Sequence, residues 1–566
     1  MSAPVTISAG DLPLQGLYRW ERERGDQIYL TQPMGNGVVQ DITWREAADQ
    51  VRRMANWLQA QGWPAGSRVA IIGKNSAHWI LSDLAILMAG HVSVPIYPTF
   101  NAEALSYILT HSEARACFVG KMDDCTNLQT GVPAGVPLIA LPLAPQVPGA
   151  TWQELLTQNP PLTGSPAPSG ESICTIIYTS GTTGKPKGVV HTFNNMAWGV
   201  TSATRRLPMD HNDRFISYLP LAHVAERMLI EQASLRYGVR IFFAEALDTF
   251  VQDLQRASPT VFFSVPRLWV KFQQGVHAKM PAKKLKLLLS LPLIGGLVRR
   301  KILKGLGLDQ CRLAAGGAAP MPADVLQWYR TLGLELVEVY GMTENCGVSH
   351  STLPGEPKTG TVGRPYDGVE QRIDPVTGEI QMRCPALMLG YYKEPEQTAA
   401  TLGADGWLHT GDKGTIDQNG YLSITGRVKD IFKTSKGKYV APAPVEDLLV
   451  MHTDIEACLV TGANLVQPIG LVMLSVEAAE KCACDKHKAM LTESIHQHLI
   501  AVNARLEPHE RLDCLVVITT PWTPENGFVT PTLKVKRPRL EEAYSRHYDG
   551  WLQQARQTQP VVWSGM

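Results

Sequence analysis

Tyr178-Thr-Ser-Gly-Thr-Thr-Gly-Lys-Pro-Lys-Gly-Val189 concentrates three glycines, four aliphatic hydroxyls and two lysines within twelve residues. Gly181 and Gly184 let backbone N–H groups turn toward an anion, Thr179, Ser180, Thr182 and Thr183 offer hydroxyls, and Lys185 and Lys187 supply charge. Such a set suits a polyphosphate. It is not the P-loop of the NTPases, because Pro186 follows Gly184-Lys185 where Ser or Thr is needed for magnesium, and the upstream glycine spacing differs.

A phosphate loop needs a scaffold. Val69 to Gly73 is a short apolar run, Ala77 to Met88 has helical spacing ending at Gly90, and Val92 to Ile96 is apolar again. Asn101 can cap a helix from Ala102 to about His111, followed by Ala116 to Val119. Strands alternating with helices predict a parallel α/β sheet. Leu141 to Gly170 reads as a surface connection, and Ser172 to Tyr178 as a buried strand running into the glycines, where α/β folds place ligands. The alternation continues through Val261 to Val265, Arg312 to Ala315 and Leu334 to Tyr340. Turn-rich segments at 362–426 predict a β-rich subdomain, and 427–566 a small α+β pattern. The expected organisation is therefore a large N-terminal domain of layered sheets and helices over 1–426 and a small mobile C-terminal domain over 427–566.

At 566 residues the chain can bury several cores. Lys plus Arg number 53 against 52 Asp plus Glu, a net charge of +1, so no global field attracts nucleic acid. Ten scattered cysteines and a start (Met-Ser-Ala-Pro-Val-Thr) without a secretory pattern predict reduced thiols in a cytoplasm. Cys482 and Cys484 lack the four-ligand spacing of a zinc site. No apolar run approaches the ~20 residues that cross a bilayer.

Tyr178 to Val189 resembles the signature loop of the adenylate-forming superfamily, which includes acyl-CoA synthetases, nonribosomal-peptide adenylation domains and luciferases. Further segments similar to the family pattern follow in order as far as Arg537. The resemblance implies an adenine-side loop at Gly317, Ala318 and Ala319, and adenine stacking by Tyr340 in Tyr340-Gly341-Met342-Thr343-Glu344. Thr343 would contact the α-phosphate, and Glu344, with Thr179, would hold Mg2+, a hard cation that takes oxygen ligands. Asp412 would accept from both ribose hydroxyls, an acceptor-only task suited to a carboxylate. Arg427 would touch ribose, Lys429 would be the hinge pivot, Lys433 would reach the nucleotide, and Gly437 would sit in the loop lining a pantetheine tunnel. Lys436 stands where many relatives carry a second glycine. Lys534 in Thr530-Pro-Thr-Leu-Lys-Val-Lys-Arg537 would be the adenylation lysine, with Lys536 the alternative. His223, in Leu219-Pro-Leu-Ala-His-Val-Ala-Glu-Arg227, would lie beside the substrate carboxylate.

The resemblance is nearest to long-chain acyl-CoA synthetases, and implies ATP, Mg2+ and coenzyme A acting on a medium- or long-chain fatty acid. A ligase for branched, terpenoid or aromatic acids, an acyl-AMP ligase loading a carrier protein, and a silent lipid-binding scaffold are the alternatives. The Trp that some long-chain relatives carry beside the histidine is missing here. Lys283 to Lys301 is an apolar stretch flanked by bases, expected either to touch a membrane interface or to pack as a helical connection.

Overall fold

The computed structural model describes residues 5–179, 185–292, 294–356, 358–530 and 534–564. By compactness the chain forms two units. The first comprises Met1–Thr179, Lys185–Gln371 and Met382–His409, the second chiefly Arg372–Gln381 and Thr410–Met566. Residues 410–426, grouped with the N-terminal domain in the sequence expectation, thus cluster with the C-terminal unit.

The first unit carries three sheets among the described residues. The largest runs in the order Gly390–Tyr391, Lys187–Thr192, Ile173–Thr179, Val92–Ile96, Arg68–Ile72, Cys117–Val119, Leu138–Ala140 and Ala150–Thr151. It is parallel from Ile173–Thr179 onward, with helices Ala77–Met88 and Ala102–His111 as crossovers. The expected parallel character stops at the phosphate loop, because Lys187–Thr192 returns antiparallel beside Ile173–Thr179. A hairpin is the only way so short a connection can keep both strands in one sheet.

Local signals explain these elements. Ser76 and Asn101 cap their helices by accepting from Trp79 and Ala104 backbone N–H groups. Every residue of Ala77–Met88 is buried, consistent with an apolar helix. On the sheet, Val94, Ile96, Leu105, Ile108 and Val119 pack in one core, each burial worth about 1.5–3 kcal/mol. The connection 141–170 also holds a helix, Trp152–Gln158, opened by a Thr151/Glu154 capping box.

The second sheet places Val261–Ser264, Leu313–Gly317 and Leu336–Tyr340 parallel, with His350–Ser351 and Arg364–Pro365 antiparallel at one edge. The third joins Arg214–Ser217, Arg240–Phe243 and Ile28–Gly35 in parallel and Val38–Thr43 antiparallel. In the second unit, Leu408–Ile416 pairs with Leu422–Arg427, and a sheet of Ile455–Thr461, Ile469–Leu474, Leu515–Ile518 and Val561–Trp563 backs on helix Asp485–Asn503. No helix among the described residues is long and apolar enough to cross a membrane.

Candidate active site

In the first unit, Thr179 faces Lys187 across the hairpin, so the phosphate loop closes at the carboxyl end of a buried strand. Ser180, Gly181, Thr182, Thr183 and Gly184 lie outside the described residues. A Cβ on Gly188 would stand 2.7 Å from Ile176 Cγ2, so the returning strand needs glycine for close pairing. Lys185 and Lys187 hold their ammonium groups 5.2 Å from the ring centroids of Tyr107 and Tyr391 respectively.

The residues expected on the adenine side sit at the carboxyl ends of two adjacent parallel strands. Gly317 pairs with Val339, and a Cβ on Gly317 would meet Val339 at 2.8 Å. Ala318 has φ 68° and, like Ala319, is exposed. Tyr340 and Met342, half-buried, leave the neighbouring strand at the same end. Gly341 is fixed by a close backbone approach: a Cβ there would stand 2.2 Å from the Gly347 carbonyl. This folds the chain into the short turn Thr343–Asn345, closed by Cys346 at φ 56°.

That turn presents Thr343 and Glu344, both buried. Glu344 Oε1 accepts from the Tyr391 hydroxyl at 2.7 Å, and the Glu344 carbonyl accepts from Met388 N at 2.8 Å. Burial, with the Glu344 carboxylate beside it, pushes the Tyr391 phenol well above its ordinary range, so it remains a donor. Tyr391 in turn pairs with Val189 on the strand leaving the phosphate loop. A buried acceptor-only carboxylate tied to that strand fits an oxygen-seeking cation next to phosphate. Tyr391 carries no sequence signal beyond the aromatic pair Tyr391-Tyr392, so its role emerges only from the fold.

His223 is half-buried and N-caps the short helix Val224–Glu226, with Nδ1 accepting from Ala225 N at 3.2 Å. Val224 lies 3.7 Å from the position of a Cβ on Gly347, so the histidine segment borders the Glu344 turn. Beyond it, Arg227–Gln232 adopts a π-helical register, a form that recurs at functional sites. Arg227 is fully buried. It donates to Asp83 Oδ2 at 2.6 Å, Thr175 Oγ1 at 2.7 Å and Glu231 Oε2 at 3.3 Å. Because Thr175 belongs to the strand that enters the phosphate loop, this cluster locks His223 and the loop to one framework. Burial raises the neighbouring Glu226 carboxyl to about 8, with Ser217 and Tyr218 N donating to it.

In the second unit, Asp412 and Arg427 are register partners, with Arg427 Nε 3.2 Å from Asp412 Oδ1. Asp412 is buried and Arg427 exposed. Lys429 is exposed in the turn that follows. Phe432–Lys433 and Tyr439–Val440 form a small hairpin around Gly437, whose φ of 77° a side chain would strain. Lys433 is exposed, its ammonium 5.5 Å from the Tyr439 ring centroid. Lys534 is exposed and its N–H donates to Thr530 Oγ1 at 3.0 Å. Arg537 anchors this segment by donating to Glu446 Oε1 and the Val460 carbonyl, each at 2.6 Å.

Parallel strands that end at these loops give the chain the α/β architecture of enzymes that receive ligands at the carboxyl ends of their strands. More particularly, it belongs to the AMP-binding enzyme family, which matches residues 17–392, while the AMP-binding enzyme C-terminal domain matches 429–555. "Long chain acyl-CoA synthetase 6, peroxisomal" of Arabidopsis thaliana is 31% identical, over 92% of this chain and 83% of that protein. "Long-chain-fatty-acid--CoA ligase FadD15" of Mycobacterium bovis is also 31% identical, over 96% of this chain and 98% of that one. The crystal structure of the anthranilate CoA ligase AuaEII with anthranoyl-AMP shares the fold at TM-score 0.75 and 22% identity, covering 96% of this chain and 100% of that one.

Proposed function

We propose that the protein activates a medium- or long-chain fatty acid with ATP as the acyl-adenylate and transfers the acyl group to coenzyme A. The observation that carries this is the buried Glu344 turn, tied by Tyr391 to the strand leaving the hydroxyl- and lysine-rich loop. The substrate class is supported by near full-length similarity to proteins named long-chain ligases.

A carboxylate is a poor acyl donor because it must expel oxide. Its oxygen attacks the α-phosphorus of ATP, the bond to the β-phosphate oxygen breaks, and pyrophosphate leaves. The coenzyme A thiol, losing its proton, then attacks the acyl carbon and AMP leaves. The protein's part is positioning and electrostatics. Thr179, Lys185, Lys187 and the residues 180–184 grip the phosphates, and Thr343 contacts the α-phosphate. Glu344 and Thr179 would hold Mg2+, which offsets charge on the phosphate oxygens. Gly317, Ala318, Ala319, Tyr340, Gly341 and Met342 receive the adenine. Asp412 accepts from ribose, Arg427 supports it, and His223 orients the carboxylate. Lys534 serves the first step, and rotation of the domain 427–566 about Lys429 brings the Gly437 loop to the second.

Pyrophosphate release across acids of increasing chain length, with and without coenzyme A, tests this. Each methylene buried in an alkyl tunnel contributes about 0.8 kcal/mol, so turnover should climb with chain length and then fall. A maximum with an aromatic or terpenoid acid, or turnover indifferent to coenzyme A, would replace the fatty acyl-CoA reading with one of its alternatives.

Peripheral membrane contact forms a second part of the proposal. Helices Ala282–Ser290 and Ile294–Gly305 leave Leu287 63% and Leu297 71% exposed. No acidic residue occurs between Asp253 and Asp309, while Lys283, Lys284, Lys286, Arg299, Arg300 and Lys301 flank the leucines. In a chain of net charge +1, that segregation favours an anionic leaflet, at roughly 1 kcal/mol per base near the surface. All ten cysteines are unpaired, which supports a reducing, cytoplasmic setting. The protein should co-sediment with phosphatidylcholine vesicles containing phosphatidylserine, and not with phosphatidylcholine alone. Leu287→Glu with Leu297→Glu should abolish the difference. Equal recovery with both vesicles ends the proposal.

A further inference from the structure

His191 lies on the strand that leaves the phosphate loop, fully buried, and takes no part in the chemistry above. Its Nε2 is 2.7 Å from the Thr343 carbonyl oxygen and its Nδ1 is 3.4 Å from Cys346 Sγ. A carbonyl only accepts, so Nε2 carries the proton. Nδ1 then offers a lone pair, and the Cys346 thiol donates to it. One imidazole in one tautomer therefore spans the first residue of the Thr343–Asn345 turn and the residue that closes it.

The closing residue is itself unusual. Cys346 occupies the left-handed region at φ 56°, which favours glycine. Its sulfur also lies 3.9 Å from Met196 Sδ, and a Cβ on Gly199 would come within 3.1 Å of Cys346 Cβ, so helix Phe193–Arg206 crowds it from another side. From the far side of the turn, Tyr391 holds the Glu344 carboxylate and pairs with Val189, two residues before His191. The strand Lys187–Thr192 thus grips the turn twice, once through the Glu344 side chain and once through the Thr343 backbone.

We propose that His191 is a positioning residue that sets the direction in which Thr343 and Glu344 face the nucleotide and its metal, by stapling their turn to the strand leaving the phosphate loop. The inference rests on the reading of Glu344 as a Mg2+ residue given above. Partners that orient metal ligands without touching the metal alter affinity on the order of ten- to a hundred-fold when removed.

The test compares wild type, His191→Ala, His191→Gln and Glu344→Gln as full-length proteins. Two readouts are used: MgATP binding by calorimetry, and hydrogen exchange of the 342–348 amides in the substrate-free protein. His191→Ala should weaken MgATP binding about ten-fold and speed exchange in 342–348 without speeding it through the parallel sheet. His191→Gln, whose amide N–H can reach the Thr343 carbonyl, should recover most of both. Unchanged MgATP affinity in a folded His191→Ala protein overturns the proposal, as does a Gln variant no better than Ala. If Glu344→Gln shifts MgATP binding and His191→Ala does not, only the positioning role fails. If neither shifts it, the Glu344 reading fails too. Should His191→Ala not fold, Cys346→Ala deletes the thiol and keeps the bond to Thr343. A two- to three-fold loss of affinity with faster exchange in 342–348 supports the staple, and no change in either overturns it.

Discussion

Replacing Lys534 with alanine is expected to slow acyl-adenylate formation by about two to three orders of magnitude, the usual effect of removing one preorganised donor from developing negative charge. As the carboxylate adds to the α-phosphorus, charge spreads over the phosphate oxygens and the departing pyrophosphate, and an ammonium in a water-poor site offsets it. Thiol transfer from a preformed acyl-adenylate should be nearly unchanged, because that step expels AMP and needs no such group. Lys536 is the comparator. Lys534 and Lys536 flank Val535, which bridges Val529, so the two lysines lie two positions apart in one segment. Lys536 differs in that burial and the nearby Arg539 lower its affinity for a proton, whereas Lys534 is exposed. Isotope exchange between pyrophosphate and ATP measures the first step alone. A larger loss from Lys536→Ala than from Lys534→Ala would move the assignment by two residues.

Arg227→Ala is expected to destabilise the first unit by about 3–5 kcal/mol, because it leaves Asp83 as an uncompensated carboxylate in a site of zero exposure. Burial, and Asp83 nearby, raise the Glu231 carboxyl well above its ordinary range, and Arg227 sits between the two buried carboxyl groups, bonded to both. The Oε1 atom of Glu231 has no hydrogen-bond partner among the described residues, which leaves little to absorb the loss. Pairing Arg227→Met with Asp83→Asn removes both charges and should recover much of the stability. Urea unfolding followed by tryptophan fluorescence is suitable, since Arg227 sits over the buried Trp79 ring. A loss below about 1 kcal/mol, the range of exposed ion pairs, would refute the buried-charge account.

Local chemistry was readable where it is local. Asn101 before Ala102–His111 and the apolar run at Val92–Ile96 announce their elements, and both form where expected. The phosphate loop at Tyr178 to Val189, Tyr340 to Glu344, and the motifs carrying Asp412 and Arg427 stood out in order, although the antiparallel return after the loop did not. What escaped is what sequence distance hides. His191 meets Thr343 across 152 positions and Arg227 meets Asp83 across 144, and nothing in a buried strand or helix says which carbonyl or carboxylate a polar side chain will find. Two misses were legible in principle. Thr151-x-x-Glu154 is a capping-box pattern inside a segment read as connection. Asn36-Gly37, with φ 52° and 77°, marks the hairpin between Ile28–Gly35 and Val38–Thr43.

That N-terminal hairpin has a consequence for synthesis. Its strand Ile28–Gly35 pairs in parallel with Arg240–Phe243, more than two hundred residues downstream. At ribosomal elongation rates of about 5–20 residues per second, the hairpin emerges roughly 10–40 s before its partner strand exists. During that interval one edge presents unpaired backbone groups, the condition under which nascent chains stick to each other. Slowing translation upstream of residue 240 therefore lengthens the exposure of that edge.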